Sequence, residues 1–242
     1  MFGIRKWSIL AAAAGMALPG SAIAQQVTLS LDPGLIEAPA FIDTIQIEWY
    51  DDVSGAGEDR DRAEAIGRAP LASFGPFRVV DSQTVEMHGV VDGSTPARFA
   101  AMYAAYPGLR TLRMIECPGS EDDEANLALA RMVRAARIET VVPAGGSVRS
   151  GAVELFLAGV RRQADSRAEF AVHSWRDELG READDLAQDD PIHREYLEFY
   201  REMGLSDDNA KQFSALTSSV SFDDALYLAP LQLAAMGMLD VI

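Results

Sequence analysis

Between residues 77 and 173 short apolar runs rich in β-branched residues alternate with longer amphipathic ones, and this alternation constrains the fold more than any other feature. Phe77-Arg-Val-Val80 and Thr84-Val-Glu-Met-His-Gly-Val-Val91 alternate like strands on either side of Asp81-Ser82, which predicts a hairpin. Thr95 followed by Pro96 starts a helix, because threonine accepts from free first-turn amides and proline gives up an N–H that has no partner there. That helix should run to Tyr106, ahead of Pro107-Gly108. A strand over 111–116, a turn at Pro118-Gly119-Ser120, a helix over 123–137 and a strand over 138–142 follow. A glycine-rich loop, a helix over 150–158 and a strand over 168–173 complete the series. Strands joined through helices pair in parallel by right-handed crossovers. The chain is therefore predicted to be α/β with a mostly parallel sheet, whose ligand sites gather at the carboxyl ends of the strands.

The flanking regions read differently. Residues 25–75 contain a β-like stretch around Ile45-Gln-Ile-Glu-Trp49 and a Gly/Asp/Arg-rich loop, and are assigned to an N-terminal extension ahead of a main domain over 76–242. Beyond Trp175 the stretch 177–190 is acidic and poor in apolar residues, which predicts a mobile loop. Pro191 opens an amphipathic helix to Met203, with Ile192, Tyr196, Phe199 and Tyr200 along one side. A second helix follows from Ser206 to Thr217, and a last one over 228–238.

The first 24 residues have the three parts of a secretory leader: Arg5 and Lys6, an apolar run over 7–18, and Pro19-Gly-Ser-Ala-Ile-Ala24 with small residues before a cleavage point at Gln25. The run is shorter than the ~20 residues that span a bilayer, so a cleaved leader and a periplasmic or secreted protein are expected, with no membrane partner after its removal. Of 242 residues, 218 then remain, enough for one domain of ordinary to large size. Losing Arg5 and Lys6 from the 21 basic residues leaves 19 against 37 acidic ones, a balance that excludes nucleic acid as a partner. Lys211 is then the sole lysine, in a polar helix, which disfavours a serine–lysine dyad. Cys117 is the single cysteine, so no internal disulfide can form, and its place at the end of an apolar strand predicts a buried, inert thiol. No spacing resembles a metal site, and no metal or organic cofactor is implied.

Two residues stand where chemistry is expected. Ser150 follows Ala144-Gly-Gly-Ser-Val-Arg149 at the start of an apolar helix, and His173 ends the strand Ala168-Glu-Phe-Ala-Val172. Serine at that place is either a helix cap or a nucleophile with a base in reach. His88 reads as structural and His193 as a solvated residue.

The blocks Glu116-Cys-Pro-Gly-Ser-Glu-Asp-Asp-Glu-Ala-Asn-Leu-Ala-Leu-Ala130, Val148-Arg-Ser-Gly-Ala-Val-Glu-Leu-Phe-Leu-Ala-Gly159 and Phe170-Ala-Val-His-Ser-Trp175 stand in one order and spacing. Together they resemble the Clp protease proteolytic subunit and crotonase superfamily, in particular its exported bacterial branch, over roughly 77–242. The resemblance implies a ββα superhelix and a serine hydrolase of peptidase type. It puts Ser150 on the nucleophile, His173 on the general base, and Asp224, with Asp223 as substitute, on the acid that holds the histidine. Gly151 and Ser120 fall on the two backbone donors of the oxyanion hole, with Gly119 beside them as a substrate-binding position, while Arg149, outside the family pattern, is expected either to bind a substrate carboxylate or to neutralise the acidic cluster Glu121-Asp-Asp123. A peptide or acyl substrate is the implied partner, and assembly into a homo-oligomer is left open.

The chain departs from that pattern in identifiable places. Ser120 stands where the family has a second glycine, Glu121-Asp-Asp123 follow it directly, Arg149 replaces a small residue, and Glu154 interrupts an apolar helix. Carboxylates beside an oxyanion site oppose the charge that catalysis builds. Their simpler role is to favour the first turn of the helix that starts at Asp123. The alternative is therefore a catalytically silent binding or scaffold protein of the cell envelope that keeps the same cleft.

Overall fold

The computed structural model describes residues 70–240 and the backbone of two strands before them, β1 (Gln25–Leu29) and β2 (Ile45–Trp49), which pair antiparallel. The leader read from residues 1–24 lies outside the described residues, as does most of the extension. Among the described residues no helix is long and apolar enough to cross a membrane.

The main sheet opens with a meander of β3 (Ala72–Phe74), β4 (Phe77–Val79) and β5 (Thr84–His88), paired antiparallel in that order. The predicted hairpin is its second half, closed by Asp81, whose carboxylate accepts from the amides of Gln83 and Thr84 at 2.8 Å each. β3 belongs to the same sheet, so the sheet begins inside the stretch read as an extension. Helix α1 (Thr95–Ala105) then carries the chain to β6 (Thr111–Cys117), which lies parallel to β5. Helix α2 (Asp123–Ala135) returns it to β7 (Glu139–Val142), also parallel to β6. Asp122 caps α2 by accepting from the Ala125 amide at 2.9 Å, and Asp123 and Glu124 occupy its first turn, where the helix dipole favours them.

β6 is where the sheet forks. Its first half pairs with β7, while Glu116 and Cys117 at its far end pair with β8 (Ser147–Arg149). The chain leaves the β6 edge after β7, passes through the loop over 143–146, and rejoins the same edge one step further along. Helix α3 (Ala152–Leu157) then leads to a second such pair, β9 (Arg162–Ala164) on β7 and β10 (Glu169–Val172) on β8. Successive ββα turns thus coil around the buried α3, giving a mixed α/β fold with a mostly parallel sheet, as expected.

Beyond β10 come α4 (Pro191–Glu202), α5 (Asp207–Ser218), β11 (Leu226–Leu228), antiparallel to β10, and α6 (Pro230–Ala235). The last helix was expected from residue 228. Pro230 instead sets its first turn, and the residues before it extend as β11.

The core lies between α2, α3, α4 and the sheet. Every residue of α3 except Glu154 is buried, and Phe156 meets Phe170 of β10 edge to face at 5.1 Å. Cys117 is buried, and desolvation pushes its thiol far above the usual range, which fits the inert role expected of it.

The stretch 177–190 is not the mobile loop expected from its acidity. Asp177 accepts from the amides of Leu179 and Arg181 at 2.9 Å each, and Glu182 binds Arg176 at 3.2 Å and the Phe222 amide at 2.9 Å. Ala183 is buried, with its amide donating to Ser174 Oγ at 3.1 Å. The carboxylates are engaged by local turns and by two arginines, Arg176 and Arg181.

Candidate active site

The parallel register of β8 and β10 pairs Arg149 with Ala171, so the next residues of each chain run side by side beyond the strand ends. The Ser150 amide continues the ladder by donating to the Ala171 carbonyl at 2.8 Å. Ser150 then turns into the left-handed region, φ +49°, a conformation that costs a non-glycine residue about 1–2 kcal/mol. The chain therefore turns sharply at the serine. Ser150 was expected as the first residue of a helix, but α3 begins two residues later with Gly151 as its cap. His173 leaves β10 at the same end of the sheet. Both residues line one cleft of about 1070 Å³, and their side chains make no direct hydrogen bond with each other.

The histidine is held by backbone. Its Nδ1 lies 2.7 Å from the Ser174 carbonyl, and because a carbonyl only accepts, the neutral ring carries its proton on Nδ1. Nε2 is left with the lone pair that a general base needs. Ser174 is itself pinned, its amide donating to Val220 O at 2.8 Å and its Oγ accepting from Ala183. Phe222 packs edge to face on the imidazole at 4.9 Å, and Arg176 lies 4.2 Å over the Phe222 ring.

The structure does not bring the expected acid to the histidine. Asp224 is exposed, and its carboxylate makes no hydrogen bond or ion pair among the described residues. Asp223 is taken by Arg176 at 2.6 Å, which ties the 221–223 turn to the loop after β10. The carbonyl of Ser174 stands where the carboxylate was expected. A single sequence carries no sign of this, because a backbone acceptor has no residue type.

On the other side of Ser150 the chain from β6 runs past as Pro118-Gly119-Ser120. Gly119 has φ +136°, and a Cβ there would lie 2.9 Å from the Ser150 Cβ. Gly119 does not line the cleft; its role is to let two backbones approach behind the serine rather than to bind substrate. Val91 donates to the Gly119 carbonyl at 3.0 Å and accepts from the Glu121 amide at 2.8 Å. In extended backbone the intervening residue faces the opposite way. The Ser120 N–H therefore points to the side on which β8 and Ser150 lie, and it donates to no protein acceptor among the described residues. Among the described residues the Gly151 N–H is likewise without a protein acceptor. The two residues are close neighbours, because a Cβ on Gly151 would collide with Ser120 Oγ.

Arg149 was expected to meet substrate. It is bound instead to Glu116 at 2.5 Å and Glu169 at 3.3 Å, and it is not among the residues that line the cleft. Alternation along β8 sends its side chain to the face it shares with Ser147, away from the serine's turn.

The cleft floor holds a cluster of polar groups packed together. Ser120 Oγ donates to Asp123 at 2.7 Å, and the same carboxylate helps to raise the Tyr196 phenol. Tyr200 donates to Glu154 at 3.1 Å. Desolvation raises the Glu154 carboxyl to about 7, and it also raises both phenols, helped by the neighbouring carboxylates. Asn126, 2% exposed, donates from Nδ2 to the Gly151 carbonyl at 2.6 Å and leaves its buried Oδ1 without a partner. The sequence signal for this cluster was Glu154, the one charged residue in α3.

No family model matches the chain, and no curated protein does. Among solved structures it is similar to ClpP1 from Listeria monocytogenes, with a TM-score of 0.48 and 16% identity over 67% of this chain and 91% of that one. It is also similar to a mutant of the 1510-N membrane-bound stomatin-specific protease, with a TM-score of 0.45 and 13% identity over 64% of this chain and 76% of that one. A third similarity is to the ClpP protease catalytic domain from Plasmodium falciparum, with a TM-score of 0.44 and 12% identity over 65% and 83% of the two chains.

Proposed function

We propose that the protein is a serine hydrolase of peptidase type in the Clp protease and crotonase superfamily, with Ser150 as nucleophile and His173 as general base. The observation that carries this reading is the placement of a left-handed serine and a histidine with a free Nε2 at adjacent parallel strand ends around one cleft. His173 Nε2 takes the Ser150 hydroxyl proton as Oγ attacks the acyl carbon, and the Gly151 and Ser120 amides receive the oxyanion. The histidine passes its proton to the leaving amine, and water, activated by the same ring, releases the acyl group. The Ser174 carbonyl keeps the ring in the working tautomer and would accept from the imidazolium as it forms. The leader-like composition of residues 1–24 supports export, and we place the activity in the periplasm or outside the cell.

A fluorophosphonate probe tests the reading. Purified protein should label, and Ser150→Ala and His173→Ala should both abolish labelling while keeping the wild-type melting temperature. No labelling of well-folded wild type would favour the second reading, a cleft that binds a peptide or acyl group without turnover. One observation supports that alternative: Ser120 Oγ is tied to the Asp123 carboxylate, which puts negative charge beside the amide meant for the oxyanion.

A further inference from the structure

The opening turn of α2 touches both residues to which the oxyanion is assigned. Asp123 and Asn126, three apart, lie on one side of that helix. Asp123 accepts from Ser120 Oγ at 2.7 Å, and the Asn126 side chain meets the Gly151 carbonyl at 2.6 Å. A carbonyl only accepts, so the asparagine faces it with its Nδ2 donor. One helical turn thereby joins the chain that leaves β6 to the chain that leaves β8.

Gly151 needs such a restraint. It follows the left-handed Ser150, and a Cβ there would collide with Ser120 Oγ and lie 3.2 Å from Asn126 Nδ2, which leaves room for glycine alone. Glycine is also the residue with the most backbone freedom to lose. Its own helix holds it weakly: the Leu155 amide reaches the Gly151 carbonyl at 3.4 Å, beyond the usual N–H···O range of about 2.7–3.2 Å. Asn126 supplies the short bond that α3 does not. For packing alone the asparagine is a costly choice. It is 2% exposed, and its buried Oδ1 has no partner among the described residues. An apolar side chain of similar size would leave no acceptor unsatisfied. What the asparagine provides, and an apolar residue would not, is the bond to Gly151.

We infer that Asn126 is a positioning residue: by holding the Gly151 carbonyl it fixes the Gly151 N–H beside the Ser120 N–H, so that both amides meet one acyl oxygen. The inference rests on the hydrolase reading for what the amides do, but not for the restraint itself. The N–H and C=O of Gly151 share one Cα, so anchoring the carbonyl restricts the amide. Removing an oxyanion donor costs roughly 100- to 1000-fold in rate, and loosening one costs part of that.

The test compares wild type with Asn126→Ala, which removes the donor without adding bulk, and Asn126→Leu, which keeps the volume. Each loses an unpaired acceptor together with the bond, so both should melt within about 4 °C of wild type. Fluorophosphonate labelling is resolved into the affinity of the first encounter and the rate of phosphonylation. The rate should fall at least about tenfold in both variants with affinity within about twofold, because the amides receive the oxygen in the transition state and not in the encounter complex. Before reaction with the probe, nitrogen-15 relaxation of the Gly151 amide should show an order parameter well below the rigid value of about 0.85 in Asn126→Ala, and near that value in wild type. A merely structural asparagine would instead lower melting temperature, affinity and rate together. A phosphonylation rate within twofold of wild type, slower labelling explained by lost affinity, a Gly151 amide that stays rigid, or unfolding of both variants would overturn the inference. No labelling of well-folded wild type would overturn the hydrolase reading alone, and the relaxation measurement would then decide whether Asn126 holds the Gly151 amide.

Discussion

Gly119 stands directly behind Ser150, with room for no more than its hydrogen where a Cβ would come within 2.9 Å of the serine Cβ. Gly119→Ala would meet both that contact and a φ of +136° that side chains rarely adopt. The expected cost is about 1–3 kcal/mol in denaturant unfolding. Because displacing a reacting group by about 1 Å can cost roughly 100-fold, fluorophosphonate labelling should slow by at least about tenfold. Unchanged stability and labelling would mean that the two backbones are not in contact.

The left-handed turn at Ser150 makes a prediction about stability that is independent of chemistry. Ser150→Gly should be more stable than Ser150→Ala by about 1 kcal/mol, because glycine accepts φ +49° without the Cβ penalty. Paired urea melts of the two inactive variants measure the difference. Equal midpoints would show that the serine backbone is not strained.

Asp224→Asn should keep labelling within about twofold of wild type, since an exposed side chain without partners among the described residues contributes little. His173→Gln should lose it. A large loss in Asp224→Asn would return the aspartate to the role that the family resemblance gave it and displace the Ser174 carbonyl.

Glu154 predicts a direction for stability against pH. Its carboxyl ionises near 4.5 when unfolded and is raised to about 7 in the fold by burial, with Asp123 adding repulsion and Tyr200 donating in opposition. Between those values the folded protein holds a proton that the unfolded chain has lost, so stability is full below about 4.5 and falls as pH rises toward 7. Allowing for its partial exposure to the cleft, the loss should be about 1–2 kcal/mol. Glu154→Gln should flatten this part of the profile and be the more stable protein at pH above about 7. A wild-type profile that rises across the window, or one that the substitution leaves unchanged, would contradict the buried environment assigned to this carboxyl.

The long, patterned elements were legible because their signals are local. Alternation in Thr84-Val-Glu-Met-His88, the Thr95-Pro96 start and the acidic first turn of α2 each depend on a few neighbouring residues. Ser147–Arg149, Arg162–Ala164 and Leu226–Leu228 were not seen, because three residues cannot establish a period and these strands exist through the edges they join. The site divides in the same way. That Ser150 and His173 share one cleft was legible because strand ends in a parallel sheet face a common side. The partner of the histidine was not found because the direction of Asp224 is set by the 221–223 turn, itself pulled toward Glu182 and Arg176. Arg149 was misread because its pairing with Glu116 and Glu169 depends on strand register, which residue types alone do not specify.

The fork at β6 has a consequence for how freely the rest of the chain can vary. Ser150 and His173 stand on neighbouring rungs of one coil, so their lateral separation follows from the spacing of hydrogen-bonded strands, about 4.8 Å, and not from the connections between them. The 143–146 and 165–168 links cross from one branch of the sheet to the other away from the cleft. Such links can lengthen, shorten or change composition while the backbone ladder keeps serine and histidine in step, which lets the outer surface diversify around a fixed pair.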